Sequence, residues 1–292
     1  MSRVVVIGPG SIGGAVAGAL TANGHDVVIA ARTPFAELRV EYPDGEIVGP
    51  ARCPAEPDDS LDPAAVVVAV KAHQTSDAAA WIRAASAGGA PVYVLQNGVE
   101  QEATVRPYVG AATPVLPTVV NLPAHRPGPG HVVVTGRANL TVPGTEGDVL
   151  AALLEGSFVR VHVVDDWQSP AWIKLMMNAA MGGVGVLTQR DNRVFADDEA
   201  RVLGEALMEE VAAVGRAEGA TIPAELPSQM IDRVRAAAGG HASSIVVDRR
   251  NGDPTEWQVR NAAVGRIGRR HGIATPLNDL ITTLIRLGEP ES

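Results

Sequence analysis

Val4-Val5-Val6-Ile7-Gly8-Pro9-Gly10-Ser11-Ile12-Gly13 opens the fold, and an alanine-rich stretch carries it to Asn23-Gly24. A second apolar run, Val27-Val28-Ile29-Ala30-Ala31, then ends on Arg32. This is strand, glycine turn, helix, strand, the context in which a GxGxxG pattern implies a dinucleotide site. Gly8 suits the tight turn, Gly10 the close approach of a pyrophosphate, and Gly13 the close packing of helix on strand. The amides at the helix start, which follow Pro9 in the run Gly10-Ser11-Ile12-Gly13, then face the phosphates at the positive end of the helix dipole. Arg32 lies 19 positions after Gly13, where an NAD site places an acid for the ribose 2′-hydroxyl. A guanidinium there clamps a 2′-phosphate instead, which points to NADPH. The other reading makes Arg32 a solvated loop residue and gives the ribose to a later acid such as Glu37.

The 292 residues suffice for one large domain or two ordinary ones, and the hydrophobic fraction of 46% fills cores built mostly from aliphatic side chains. Thirty-three acids against 24 bases leave a net charge of −9, which argues against nucleic acid or an anionic membrane as partner. The single cysteine, Cys53, forms no intramolecular disulfide and no cysteine-built metal centre. The first strand starts by residue 3, which leaves no room for a signal peptide, and the apolar run at 64–70 is too short to span a bilayer. A cytoplasmic protein is expected.

Alternation continues with a strand over 64–70 ending at Lys71, a helix over 76–87 stopped by Gly88-Gly89, and a strand over 92–95 ending at Gln96-Asn97-Gly98. Gly8–Gly13, Arg32, Lys71 and Asn97 thus all follow strand ends, where ligands gather in open α/β sheets. Prolines 114, 117, 123, 127 and 129 break the next segment. Runs at 131–135, 139–142 and 159–164 read as the antiparallel far edge of the sheet, the first two joined around Gly136. From Ser169 the pattern is helical, over 170–187, 199–218, 227–238, 254–271 and 276–288. Asp253 and Thr275 are candidate caps before prolines suited to first helical positions, and the Ala-Gly tract at 236–240 reads as a turn. The expected architecture is an α/β Rossmann-type domain over 1–167 and an all-helical domain over 168–292.

Lys174 and Asn178 share a helix face, with Trp172, Leu175, Met176 and Met181 on the packed faces. A lysine between Ile173 and Leu175 either snorkels from a core helix or does chemistry, and the helix alone leaves both open. Ser243 and Ser244 read as a turn or as ligands, and Glu256 as the third residue of a capping box or as a functional acid. His25, His73, His125, His131, His162, His241 and His271 form no ligand-like helical pair, so no metal is expected.

Taken together, these motifs resemble the ketopantoate reductases (2-dehydropantoate 2-reductases) over nearly the whole chain. The resemblance runs through the GxGxxG opening with its basic residue, Val70-Lys71-Ala72-His73-Gln74, Gln96-Asn97-Gly98, Lys174-Leu175 with Asn178, and Ser243-Ser244 with Asp248. It closes on Pro254-Thr255-Glu256, Asn261 and Gly272-Ile273-Ala274-Thr275-Pro276-Leu277-Asn278. It implies NADPH-dependent reduction of a 2-keto acid, ketopantoate first, on the route to pantothenate. Lys174 would protonate the developing alkoxide, and Glu256 would orient substrate and fix the lysine's charge. Lys71 would contact cofactor, Asn97 would bridge the nicotinamide ribose and substrate, and Asn178, Asn192 and Ser244 would hold substrate. One departure stands out. Where the family commonly has another asparagine one turn beyond Asn178, this chain has Gly182, within Met181-Gly182-Gly183-Val184-Gly185. A roomier, less polar wall and a softened helix are expected there, favouring a different ketone or imine as alternative substrate. A non-catalytic NADP-binding redox sensor is the alternative of another class, and a homodimer is admitted by the apolar carboxy-terminal helices.

Overall fold

The computed structural model describes residues 1–58, 61–144, 146–237, 240 and 242–289. The chain divides into two compact units, Met1–Trp167 and Gln168–Ser292.

The first unit begins as the opening stretch dictates, with β1 (Arg3–Ile7), α1 (Ser11–Ala22) and β2 (Asp26–Ala30). A hairpin follows, β3 (Glu37–Tyr42) and β4 (Gly45–Pro50), then β5 (Ala65–Val68), α2 (Ala79–Ser86) and β6 (Val92–Val94). After α3 (Gln101–Val105) come β7 (Val115–Pro117), β8 (Val119–Asn121), β9 (Ala124–Gly128), β10 (His131–Val134) and β11 (Ala138–Pro143). Helix α4 (Gly147–Leu153) and β12 (Val159–Val164) complete the unit.

Strands β2-β1-β5-β6-β7 form one parallel sheet in that order. Alternate side chains of β1 enter two cores. Val4 and Val6 pack with α1, whereas Val5 and Ile7 pack with Ile82 and Ala85 of α2. A strand covered on both faces must be apolar throughout, which explains its unbroken valine run.

The predicted antiparallel far edge is not there. β10 lies in a separate four-stranded sheet ordered β4-β3-β10-β9, and β11 in a three-stranded sheet ordered β12-β11-β8. β11 and β12 run parallel over six residue pairs because the connection carries a crossover helix, α4. Gly136 therefore separates two sheets instead of turning a hairpin. The actual hairpins turn at Pro43-Asp44, between paired Tyr42 and Gly45, and at Pro129-Gly130, between paired Gly128 and His131. The second sheet covers α1. A Cβ on Gly14 would sit 2.7 Å from Val132 Cγ2, and one on Gly18 only 2.5 Å from Val40 Cγ2. The glycine-alanine helix thus lets a sheet press on each side of it.

The second unit is helical: α5 (Gln168–Thr188), α6 (Asp198–Ala217), α7 (Leu226–Ala236), α8 (Ser244–Asn251), α9 (Asn261–Arg270) and α10 (Pro276–Leu287). The expected end of α7 at 238, residues 238 and 239 of the Ala-Gly tract, and His241 lie outside the described residues. Helix 254–271 is corrected: Pro254–Glu256 precede it, a 3₁₀ turn spans Trp257–Val259, and α9 starts only at Asn261. Asp253 therefore caps nothing there, and Glu256 is not the third residue of a capping box. Nor does the Thr275 side chain cap α10. Glu210 of α6 takes that task, its carboxylate accepting from Leu277 N and Asn278 N, each at 2.9 Å. Asn278 Nδ2 donates to the same carboxylate at 2.7 Å, and Asn261 Nδ2 donates to Asn278 Oδ1 at 2.9 Å and to Ala179 O of α5 at 3.1 Å. This buried polar chain ties α5, α6, α9 and α10, so Asn261 and Asn278 brace the unit.

Candidate active site

In the first unit, the loops after β1, β2, β5 and β6 leave the same end of a parallel sheet. Gly8 sits at φ +89°, and a Cβ there would meet Val70 N at 2.7 Å, so the tight turn requires glycine. A Cβ on Gly13 would lie 2.2 Å from Gly8 O and 3.0 Å from Ala69 Cβ. Around Gly10 a Cβ would meet nothing within 4 Å. The first turn of α1 has no side-chain cap and no acidic residue. Its amides at Ser11, Ile12 and Gly13 therefore open on a smooth backbone surface suited to a pyrophosphate. Pro9 keeps the amide-free position between the first two glycines. Arg32 is exposed just past β2, and Glu37 starts β3 with an exposed side chain.

Lys71 follows β5 and precedes a 3₁₀ turn at Ala72–Gln74, while Asn97 follows β6; both are half-buried. Gln96 fixes these two loops to each other. Its amide donates to Val70 O at 3.1 Å and to Thr75 Oγ1 at 2.9 Å, and Gln101 Nε2 donates to Gln96 O at 3.2 Å. Sequence reasoning noted Gln96 only beside Asn97; its role is to hold that loop.

In the second unit α5 runs unbroken to Thr188, so its glycines do not end it. They allow close packing. A Cβ on Gly183 would lie 2.8 Å from Ile281 Cγ2 of α10, and one on Gly185 2.9 Å from Val246 Cγ2 of α8. Nor does Gly182 open a roomy apolar wall. A Cβ there would stand 3.0 Å from Ile245 Cγ2, 3.1 Å from Arg260 Nη1 and 3.8 Å from Ser243 Oγ. The space is taken by an arginine that sequence reasoning missed. Arginine ordinarily reads as surface, yet Arg260 is in register with the buried positions Val264 and Ile267 of α9, and that periodicity marks it.

Arg260 is only 1% exposed. Burial pushes its pKa down, opposed by the charges of Glu256 and Asp248. Its Nη2 donates to Ser244 Oγ at 2.8 Å. Lys174 lies half-buried on α5, its pKa lowered to about 8, first by desolvation and then by the Arg260 charge, with Glu256 acting in the opposite sense. Glu256 itself is 6% exposed. The structure thus brings Lys174, Glu256, Arg260, Ser244 and Asp248 into one charge cluster, with two cations and two acids. Asn178 stands one turn from Lys174 on α5, half-buried. Asn192 opens a separate 3₁₀ turn, Asn192–Ala196, beyond the end of α5. Among the described residues no group of three or more histidine, cysteine, aspartate or glutamate side chains could hold a metal ion.

A half-buried lysine with a desolvated amine, its pKa brought to about 8, beside a buried glutamate is a proton-transfer arrangement, and the first unit's glycine turn is a nucleotide cradle. Both units match known proteins. The family described as ketopantoate reductase PanE/ApbA matches residues 4–147, and its C-terminal counterpart matches residues 166–289. A 2-dehydropantoate 2-reductase of Caulobacter vibrioides is 37% identical over 289 residues, 98% of each chain. This chain belongs to the ketopantoate reductase family. Another member, the 2-dehydropantoate 2-reductase of Mycobacterium tuberculosis, is 34% identical over 97% of this chain and 96% of its own. The crystal structure of the PanE/ApbA family ketopantoate reductase from Ralstonia eutropha JMP134 superposes with a TM-score of 0.88 at 29% identity, covering 98% of both chains. A ketopantoate reductase is an oxidoreductase acting on a CH–OH group with a nicotinamide dinucleotide.

Proposed function

We propose that this chain reduces a 2-keto acid to the 2-hydroxy acid with NADPH, ketopantoate to pantoate being the first substrate to test. The observation that carries the proposal is the desolvated Lys174 amine facing the charge of buried Glu256, in a chain that also holds an uncapped, glycine-lined helix start. Gly8, Gly10, Ser11, Ile12 and Gly13 bind the pyrophosphate, Arg32 takes the 2′-phosphate, and Lys71 and Asn97 position the nicotinamide ribose. The bound dihydronicotinamide supplies the hydride. As the carbonyl oxygen gains charge, the Lys174 ammonium stabilises it and then gives it a proton. Glu256 holds the ammonium in place and offsets its burial, while Asn178, Asn192 and Ser244 orient the substrate. Orientation by such groups is what the protein adds to the cofactor's own chemistry.

The proposal includes a place in pantothenate formation, a cytoplasmic setting and assembly as a homodimer. Leu280, Leu284 and Leu287 form an exposed stripe along α10, 54%, 43% and 68% exposed, which a second copy would cover. No helix among the described residues is long and apolar enough to cross a membrane. Gly182 favours a second reading, in which the preferred substrate is another 2-keto acid, because the site wall beside it is arginine. NADPH absorbance with a panel of 2-keto acids separates the readings. Turnover of ketopantoate supports the first, preference for another acid the second, and tight NADPH binding without turnover would instead indicate a redox sensor.

A further inference from the structure

Among the described residues, the buried side-chain atoms of the second unit that have no hydrogen-bond partner include Arg260 Nε, Arg260 Nη1 and Ser243 Oγ, which lie near one another beside α5. A buried donor left unpaired is costly, and in a native protein such a group calls for a ligand, ion or water that completes it. Two of these atoms, Arg260 Nη1 and Ser243 Oγ, flank Gly182 of α5. The bare Cα of Gly182 lets Arg260 Nη1 and Ser243 Oγ come within 3.1 Å and 3.8 Å of the place a Cβ would occupy. Gly182 is two turns from Lys174 and one from Asn178 on α5, so that place lies along the same helix face as the proposed proton donor. The remaining nitrogen, Nη2, is held by Ser244 Oγ, which fixes the plane of the guanidinium.

The charges agree with the geometry. Lys174 and Arg260 face Glu256 and Asp248 electrostatically, two positive groups against two negative ones. The cluster is therefore balanced before substrate arrives, and still has unused N–H and O–H groups to offer an anion. A guanidinium matches a carboxylate in planarity and charge, and such pairs are the strong, directional ones. A neutral carbonyl oxygen makes a weaker bond to the same donors than a carboxylate does.

We propose that Arg260, with Ser243, binds the carboxylate of the 2-keto acid, and that Gly182 is glycine in order to admit that guanidinium. This inference rests on the keto-acid reading above. It makes Arg260 the residue that selects an acid over an uncharged ketone of the same skeleton.

The test compares ketopantoate with its uncharged lactone in wild type, Arg260→Met, Arg260→Lys and Ser243→Ala. The ratio of kcat/KM for acid over lactone is expected to fall about 30-fold or more in Arg260→Met, through KM for the acid. Arg260→Lys keeps the charge and is expected to restore part of the ratio, and Ser243→Ala to lower it by several-fold. Proportional losses on acid and lactone in Arg260→Met would overturn the inference, since they indicate packing alone. If Arg260→Met does not fold, an acid-to-lactone ratio left at the wild-type value by both Arg260→Lys and Ser243→Ala would overturn it equally. A binding arm keeps the two claims apart. Pantoate is expected to raise the melting temperature of the wild-type protein with NADP present more than pantolactone does, and Arg260→Lys is expected to shrink that difference. Wild type that turns over no keto acid yet shows this Arg260-dependent protection defeats the proposed activity and leaves the carboxylate site standing. Equal protection by both compounds defeats the site.

Discussion

The alkaline limb of the pH profile is the sharpest consequence of the charge cluster. Lys174 falls from 10.5 to about 8, chiefly because its amine is buried and then because Arg260 repels a second positive charge. That difference is worth roughly 3 kcal/mol between the two protonation states. The sign follows directly. An acid catalyst works only when protonated, so activity is full below the folded-state pKa and is lost as pH rises through it. At pH 7 about nine-tenths of the lysine carries its proton, and at pH 9 about one-tenth. With NADPH saturating, kcat/KM for ketopantoate is therefore expected to bend near pH 8 and fall about tenfold per pH unit above it, because that ratio reports the enzyme before substrate binds. The bend in kcat itself is expected higher, since the substrate carboxylate places a negative charge beside the ammonium. Stopped-flow NADPH oxidation across pH 6 to 10.5, in buffers of constant ionic strength, reads both. A flat kcat/KM out to pH 10 would mean an unperturbed lysine, and a rate that climbs with pH would mean a group working as base; either refutes the reasoning.

Further outcomes follow from individual contacts. Arg32→Ala is expected to weaken NADPH by tenfold or more while leaving NADH within about twofold, read by fluorescence titration; equal losses would return the ribose to an acid such as Glu37. Gly13→Ala places a Cβ 2.2 Å from Gly8 O, so the phosphate turn must shift, and NADPH affinity is expected to drop by tenfold or more with a stability loss of about 1–3 kcal/mol. Glu210→Ala removes the acceptor for Leu277 N and Asn278 N, and urea unfolding is expected to show about 1–3 kcal/mol lost. The same variant's kcat is expected to stay near the wild-type value.

What the sequence disclosed, and what it hid, divides by the range of the interaction. The β1-α1-β2 opening is written in local pattern, since a doubly covered strand needs consecutive valines and the turn needs its glycines. The hairpin over Glu37–Pro50 carries an equally local signal, Pro43-Asp44-Gly45 between alternating residues such as Leu38 and Val40, yet no element is expected from the sequence between Arg32 and residue 64. Strand pairing is different. Nothing near His131–Val134 says that its partner is Glu37–Tyr42, because that choice is made by the shared core over α1. The misread helix at 254–271 fails for a related reason. Pro254 suits a helix start, but Thr255, Glu256 and Arg260 are drawn into the interior, and the chain turns in 3₁₀ form before α9 begins. Lys174 and Glu256 are candidates through the resemblance of their motifs to the family's. Arg260 carries no motif, only its register with Val264 and Ile267, and a charged side chain at an apolar register position gives the pattern of a surface residue.

The account stands or falls on the ε-amine of residue 174 as the proton source. Single-turnover oxidation of NADPH by ketopantoate in wild type and Lys174→Ala measures this directly, with cofactor affinity checked separately. The expected result is a rate about 10²- to 10⁴-fold lower in the variant, with NADPH binding within threefold of wild type. A Lys174→Ala enzyme that oxidises NADPH within threefold of the wild-type rate would contradict it.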